Sequence, residues 1–112
     1  MKDLYERAAA ALRKTANTIA VTGAGVSVES GIPDFRSAGG LWSKYPPEEY
    51  ATYDSFIDNP DKVWVMFYEL AEMLMAAKPN PAHYALARLE ELGRLQAIIT
   101  QNIDALHYHA GN

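Results

Sequence analysis

The sequence predicts an α/β fold that begins a doubly wound parallel sheet, and three observations point to it. Residues 18–22 (TIAVT) and 96–100 (QAIIT) are short, apolar and rich in β-branched side chains, as buried strands are. The first runs directly into the turn Gly23-Ala24-Gly25. Helical patterns precede the first run and fill the space between the two, the alternation that places strands side by side and parallel.

Taken in order, Leu4, Ala8, Ala11 and Leu12 recur at helical spacing, so the chain opens on an amphipathic helix closing near residues 15–17. After the first strand and its glycine turn, a short helix is expected to stop around Ser30-Gly31-Ile32-Pro33. Residues 34–59 lose any period and fill with Gly39-Gly40, Pro46-Pro47 and aromatics, which reads as a long, mobile functional loop. Asn59-Pro60 has the form of an N-cap followed by proline at the first helical position, and Val63, Phe67, Leu70 and Leu74 mark the inner stripe of the helix it starts. Asn80-Pro81 repeats the device before Leu86 and Leu89, and Gly93 stands where a helix ends. The second strand then leads into the polar segment Gln101, Asn102, Ile103, Asp104.

Composition narrows the function. With 49% hydrophobic and 21% charged residues, the 112-residue chain is globular and at most one domain. A net charge of -4 offers nothing to a nucleic-acid backbone, so no direct nucleic-acid partner is expected. No apolar stretch approaches a membrane span and the first residues mix acids with bases, unlike a signal peptide, so the expected address is cytoplasmic, with no membrane partner. There is no cysteine, hence no disulfide and no thiolate zinc site.

Parallel strands bring their carboxyl ends to one sheet edge, where α/β proteins bind ligands, and this would set Gly23-Ala24-Gly25 against residues 101–104. Glycines admit close backbone approach, and free N–H groups at a helix start favour phosphate. The dehydrogenase fingerprint fails, however, because Val28 stands where its third glycine belongs and no acidic residue ends a strand about 20 residues on. The phosphate loop of NTPases is absent. Gly25-Val26-Ser27-Val28-Glu29 misses the nucleophile elbow only at Glu29, which keeps a serine hydrolase as the alternative, beside a non-catalytic nucleotide-binding fragment. His83 reads as a first-turn helix residue, His107 and His109 point to different faces of a helix, and none of the three reads as a metal ligand.

Longer motifs decide between these readings. GAGVSVESGIPDFRS (residues 23–37) resembles the sirtuin signature almost residue for residue, KPNPAHYAL (78–86) is similar to that family's helix-opening motif, and TQNIDALHYHAG (100–111) resembles its third. The resemblance covers most of the chain from Thr18 onward, in the family's order. It implies the amino-terminal part of a sirtuin catalytic domain, with residues 1–33 and 94–112 in an incomplete Rossmann-like sheet with flanking helices, 34–59 as the cofactor-binding loop and 60–93 as part of the helical small domain.

Function follows from the same resemblance: NAD-dependent removal of acyl groups, acetyl foremost, from protein lysine, giving nicotinamide and O-acyl-ADP-ribose. By position, Gly23, Ala24 and Gly25 would approach the diphosphate of NAD with Ser27 nearby. Asp34, Phe35 and Arg36 would begin the cofactor loop, Phe35 lying against the nicotinamide ribose and Arg36 offering its fork of donors. Gln101, Asn102, Ile103 and Asp104 would form the nicotinamide pocket, with Asp104 accepting from the carboxamide and Asn102 orienting a water or a ribose hydroxyl. The acyl-lysine peptide is the implied partner. The family's general-base histidine and its zinc cysteines match nothing here and are expected beyond Asn112, so the 112 residues alone are expected to be inactive, and to need the remainder or oligomerise. Ala105 stands where the family often has glycine. Tyr68 is followed three residues on by Ala71 in place of the arginine that selects acidic acyl groups, which favours a neutral acyl substrate.

Overall fold

A computed structural model describes residues 1–112. The chain forms two compact units, one from Met1–Gly23 and Pro79–Asn112, the other from Ala24–Lys78.

The first unit opens on α1 (Lys2–Lys14), built almost entirely of strong helix formers, with Asp3 in the first turn and Arg13 and Lys14 in the last to complement the helix dipole. Strands β1 (Ile19–Thr22) and β2 (Ala97–Thr100) pair in parallel, Ile19 opposite Ala97 and Thr22 opposite Thr100. Backbone bonds from Gln96 to Thr18 (2.8 Å) and from Gln101 to Thr22 (3.1 Å) extend the ladder at both ends. The expectation of two buried strands is corrected in one respect: Ile19, Val21 and Ile99, which share a face, are each more than half exposed. Two strands can be covered on one face only, and the side chains alternate accordingly.

Between the strands lies α6 (Pro81–Glu91), which starts as its sequence suggests. Asn80 Oδ1 accepts from the Ala82 N–H (2.9 Å), while the Asn80 N–H donates to His83 Nδ1 (3.1 Å), completing a capping box in which an imidazole replaces the usual carboxylate. Gly93, at φ +66°, ends the helix. Its N–H donates to the Glu90 carbonyl (2.9 Å) and the Arg94 N–H to that of Leu89 (2.8 Å), the paired bonds of a Schellman motif. The last helix, α7 (Leu106–Ala110), packs on α6, with Leu106 and His83 fully buried.

Ala105, just before α7, is the one non-glycine residue with positive φ (60°, ψ 12°). A side chain in this region is strained by about 1 kcal/mol, and glycine relieves it. Ala105→Gly is therefore expected to raise stability by about 0.5–1 kcal/mol in urea denaturation, part of the gain being returned as unfolded-state entropy.

The second unit starts with a 3-10 helix (Ala24–Ser30), tighter than the α-helix anticipated there, and Gly31 (φ +89°) turns the chain out of it. The stretch expected as loop contains α2 (Leu41–Lys44), α3 (Pro47–Tyr50) and α4 (Tyr53–Asp58). Each spans fewer than two turns, too few for a 3.6-residue period to register in sequence. Leu41 and Tyr45 pack with Met66 as the core of this unit, flanked by Trp42 and Tyr50.

Helix α5 (Pro60–Ala76) begins at Asn59, whose Oδ1 accepts from the Lys62 N–H (3.1 Å). Its inner face holds Val63 and Met66, whereas Phe67, anticipated in the stripe, is 44% exposed. Met66 packs with Leu41 and Tyr45 in its place, while Val63, Leu70 and Leu74 keep the inward positions the stripe gave them. No helix is long and apolar enough to cross a membrane.

Candidate functional site

In the first unit the carboxyl ends of β1 and β2 bring Gly23 together with the segment 101–104, as parallel pairing requires. The Asn102 side chain donates from Nδ2 to the Gly23 carbonyl (3.0 Å), and the Asn102 N–H donates to Thr100 Oγ1 (3.1 Å). Asn102 is thus fixed at both backbone and side chain. A Cβ on Gly23 would stand 3.9 Å from Gln101 Oε1, an ordinary contact, so the protein's own packing does not demand glycine there.

Asp104, half-buried, accepts at Oδ1 from the Leu106 N–H (2.9 Å), bonding two residues on to shape the turn that leads into α7. Ile103 is largely exposed. Thr100, Asn102, Asp104 and His107 share one cleft of about 410 Å³.

Behind this edge lies a polar set that the residue patterns did not single out. Thr22 Oγ1 donates to Thr100 Oγ1 (2.9 Å) across the strands, and His107 Nε2 lies 2.8 Å from Thr22 Oγ1. The His107 ring stacks obliquely on that of His83, with centroids 4.9 Å apart. Burial pushes His83 below the ordinary imidazole value. The neighbouring His107 ring lowers it further, and Asp104 opposes both. The only signal in sequence was the threonine closing each strand run.

The remaining candidates lie in the second unit. Ala24, Gly25 and Ser27 belong to the 3-10 helix, where an added Cβ on Gly25 would meet nothing within 4 Å and Ser27 is 1% exposed. Asp34 organises the start of the next segment: its Oδ1 accepts from the Ser37 N–H (3.2 Å) and hydroxyl, and its carbonyl from the Leu41 N–H (2.7 Å). The Phe35 ring sits 5.2 Å from that of Trp42, with 45% of the residue exposed. Arg36 is exposed.

Gly40 closes this turn in a space no other residue fits, because a Cβ would lie 2.7 Å from both the Asp34 carbonyl oxygen and Asp34 Oδ1. Gly40→Ala is expected to cost about 1–3 kcal/mol, since backbone must move to admit the methyl group. Amide hydrogen exchange checks this locally: the Leu41 and Trp42 N–H groups, bonded to Asp34 and Phe35, should lose protection in the variant.

Residues 23–112 match the model of the Sir2 family. The chain is 54% identical to a NAD-dependent protein deacylase of Pyrococcus abyssi over 89% of its own length and 40% of that protein's. It is 50% identical to NAD-dependent protein deacylase 2 of Archaeoglobus fulgidus over its whole length and 44% of the relative's. It therefore spans about two fifths of these curated relatives. Among solved structures, a Sir2 homologue mutant in complex with ADP-ribose superposes with a TM-score of 0.85 at 48% identity, over 90% of this chain and 41% of the other.

Proposed function

The chain belongs to the Sir2 family, and from that membership we propose that it supplies the nicotinamide and diphosphate contacts of a NAD-dependent protein-lysine deacylase acting on acetyl or another neutral acyl group. The observation that carries this reading is the doubly anchored Asn102 at the ends of paired parallel strands, with the Asp104 carboxylate beside it. Such preorganised polar groups at a sheet edge suit a ligand that changes charge as it reacts.

Bound NAD supplies a cationic leaving group on a ribose carbon. Asp104 is assigned to accept from the carboxamide of nicotinamide, with the backbone near Ile103 serving its other side, and Asn102 to orient a water or ribose hydroxyl, beside Gln101. Gly23, Ala24 and Gly25 are assigned to the diphosphate, and the open space at Gly25 is compatible with close approach. Ser27, Asp34, Phe35 and Arg36 complete the cofactor contacts, Phe35 offering an exposed ring to exclude water.

The experiment is nicotinamide release by the full-length enzyme, expected only when NAD and an acyl-lysine peptide are both present. Hydrolysis of simple esters without NAD would favour a serine hydrolase instead. Burial of Ser27 within a 3-10 helix speaks against that alternative, since an elbow nucleophile stands exposed above its sheet. Ser27→Ala is accordingly expected to raise the KM for NAD by about threefold to tenfold and leave the reaction running, whereas loss of a nucleophile abolishes it.

A further inference from the structure

We infer that His107 is a positioning residue for Asn102, acting through the hydroxyls of Thr22 and Thr100, an inference that rests on the deacylase reading above. The direction of the hydrogen bonds carries it. Thr22 has one hydroxyl hydrogen and gives it to Thr100 (2.9 Å), so none remains for His107. The 2.8 Å contact with His107 therefore has Nε2–H as donor and Thr22 Oγ1 as acceptor. Thr100 Oγ1, at the end of this line, also receives the Asn102 N–H (3.1 Å). The line from His107 through Thr22 ends on the oxygen that holds the Asn102 backbone.

The tautomer of His107 decides whether that oxygen stays available. With the proton on Nδ1, Nε2 becomes an acceptor, the Thr22 hydroxyl turns toward it, and Thr100 loses the donor that orients it. The surroundings favour the Nε2–H form. His83 accepts at Nδ1 from the Asn80 N–H (3.1 Å), so its own proton resides on Nε2, and that donor has no partner. The other nitrogen of His107, Nδ1, is likewise buried and unpartnered, and as a lone pair it suits a neighbouring ring that carries an unpaired N–H 4.9 Å away, centroid to centroid. The titratable groups around the pair are each other and Asp104, from the segment leading into α7.

Backbone pairing alone does not require this arrangement. The Gln101 N–H already closes the ladder on the Thr22 carbonyl, and a leucine at position 107 would pack the α6–α7 contact without burying two nitrogens. The imidazole delivers a directed donor to the strand end, and Asn102 lies three hydrogen bonds from it along that line.

Two substitutions separate positioning from packing in the full-length enzyme. His107→Leu fills the volume without a donor, and His107→Gln restores an N–H. Nicotinamide base exchange at saturating NAD, per folded molecule, is expected to fall about tenfold or more in His107→Leu and to return to within about threefold of the parent in His107→Gln, with the peptide KM steady. A folded His107→Leu enzyme that exchanges nicotinamide at the parent rate overturns the assignment, as does a Gln variant no better than the Leu one. A parent enzyme without any exchange would remove the deacylase reading and the catalytic part of this inference with it. The positional part has its own readout: hydrogen exchange of the Asn102 amide is expected about tenfold faster in Thr22→Val than in Thr22→Ser, and equal rates would overturn it.

Discussion

Asp104→Asn in the full-length enzyme is expected to weaken nicotinamide inhibition and base exchange by about tenfold, the worth of one charge-assisted hydrogen bond, while the peptide KM changes by less than about twofold. The substitution is informative because Asp104 has two duties. Its Oδ1 accepts from the Leu106 N–H at 2.9 Å in the turn leading into α7, a task an asparagine carbonyl performs equally well. Folding should survive, and what disappears is the carboxylate's capacity to accept on both oxygens. Asp104→Ala removes both duties and should lower stability as well, by about 1 kcal/mol for the lost hydrogen bond. If nicotinamide inhibits Asp104→Asn as strongly as it does the parent enzyme, Asp104 does not touch the carboxamide.

The second large effect concerns stability. His83→Ala is expected to cost about 3 kcal/mol, from the cavity left by a fully buried ring together with half of the α6 capping box. The same residue sets a pH dependence. Its folded-state value lies below the ordinary 6.5, so the unfolded chain binds the proton more readily. The contribution is therefore complete above about pH 6.5 and declines as the pH falls through and below that value toward the folded one. Protonation at Nδ1 also turns the acceptor of the Asn80 N–H into a donor and breaks the cap. Urea denaturation at a series of pH values between 7.5 and 5 checks both points: the parent should lose stability over that range with a steeper slope than His83→Ala. Parallel slopes would assign the acid sensitivity to another group.

Local chemistry was legible in the sequence wherever a single residue type has one conformational use. Asn59-Pro60, Asn80-Pro81 and Gly93 marked helix ends that the structure places at those residues, because caps are written within three or four positions of the bond they make. The two strands were legible from β-branching alone. Helices α2, α3 and α4 were not, being shorter than the period that identifies a helix, and the choice of Met66 over Phe67 for the core depended on the shape of the space beside Leu41 and Tyr45. The line from His107 through Thr22 and Thr100 joins residues separated by 85 and 78 positions, and nothing in either segment alone announces it. Of the candidate site, the three motifs nominated the residues, while the anchoring of Asn102 became visible only once the strands were paired.

The first unit is folded from two stretches far apart in sequence, and this bears on its synthesis. Thr22 leaves the ribosome 78 residues before the Thr100 it must meet. At about 5–20 residues per second, β1 waits several seconds with the apolar side chains of Ile19 and Val21 unpaired. The residues from Ala24 to Lys78 emerge in one piece during that interval and contain every member of their own core, Leu41, Tyr45 and Met66. Nascent chains released at successive lengths should accordingly show protease protection of the middle segment well before the first twenty residues become resistant, with β1 exposed to chaperones in between.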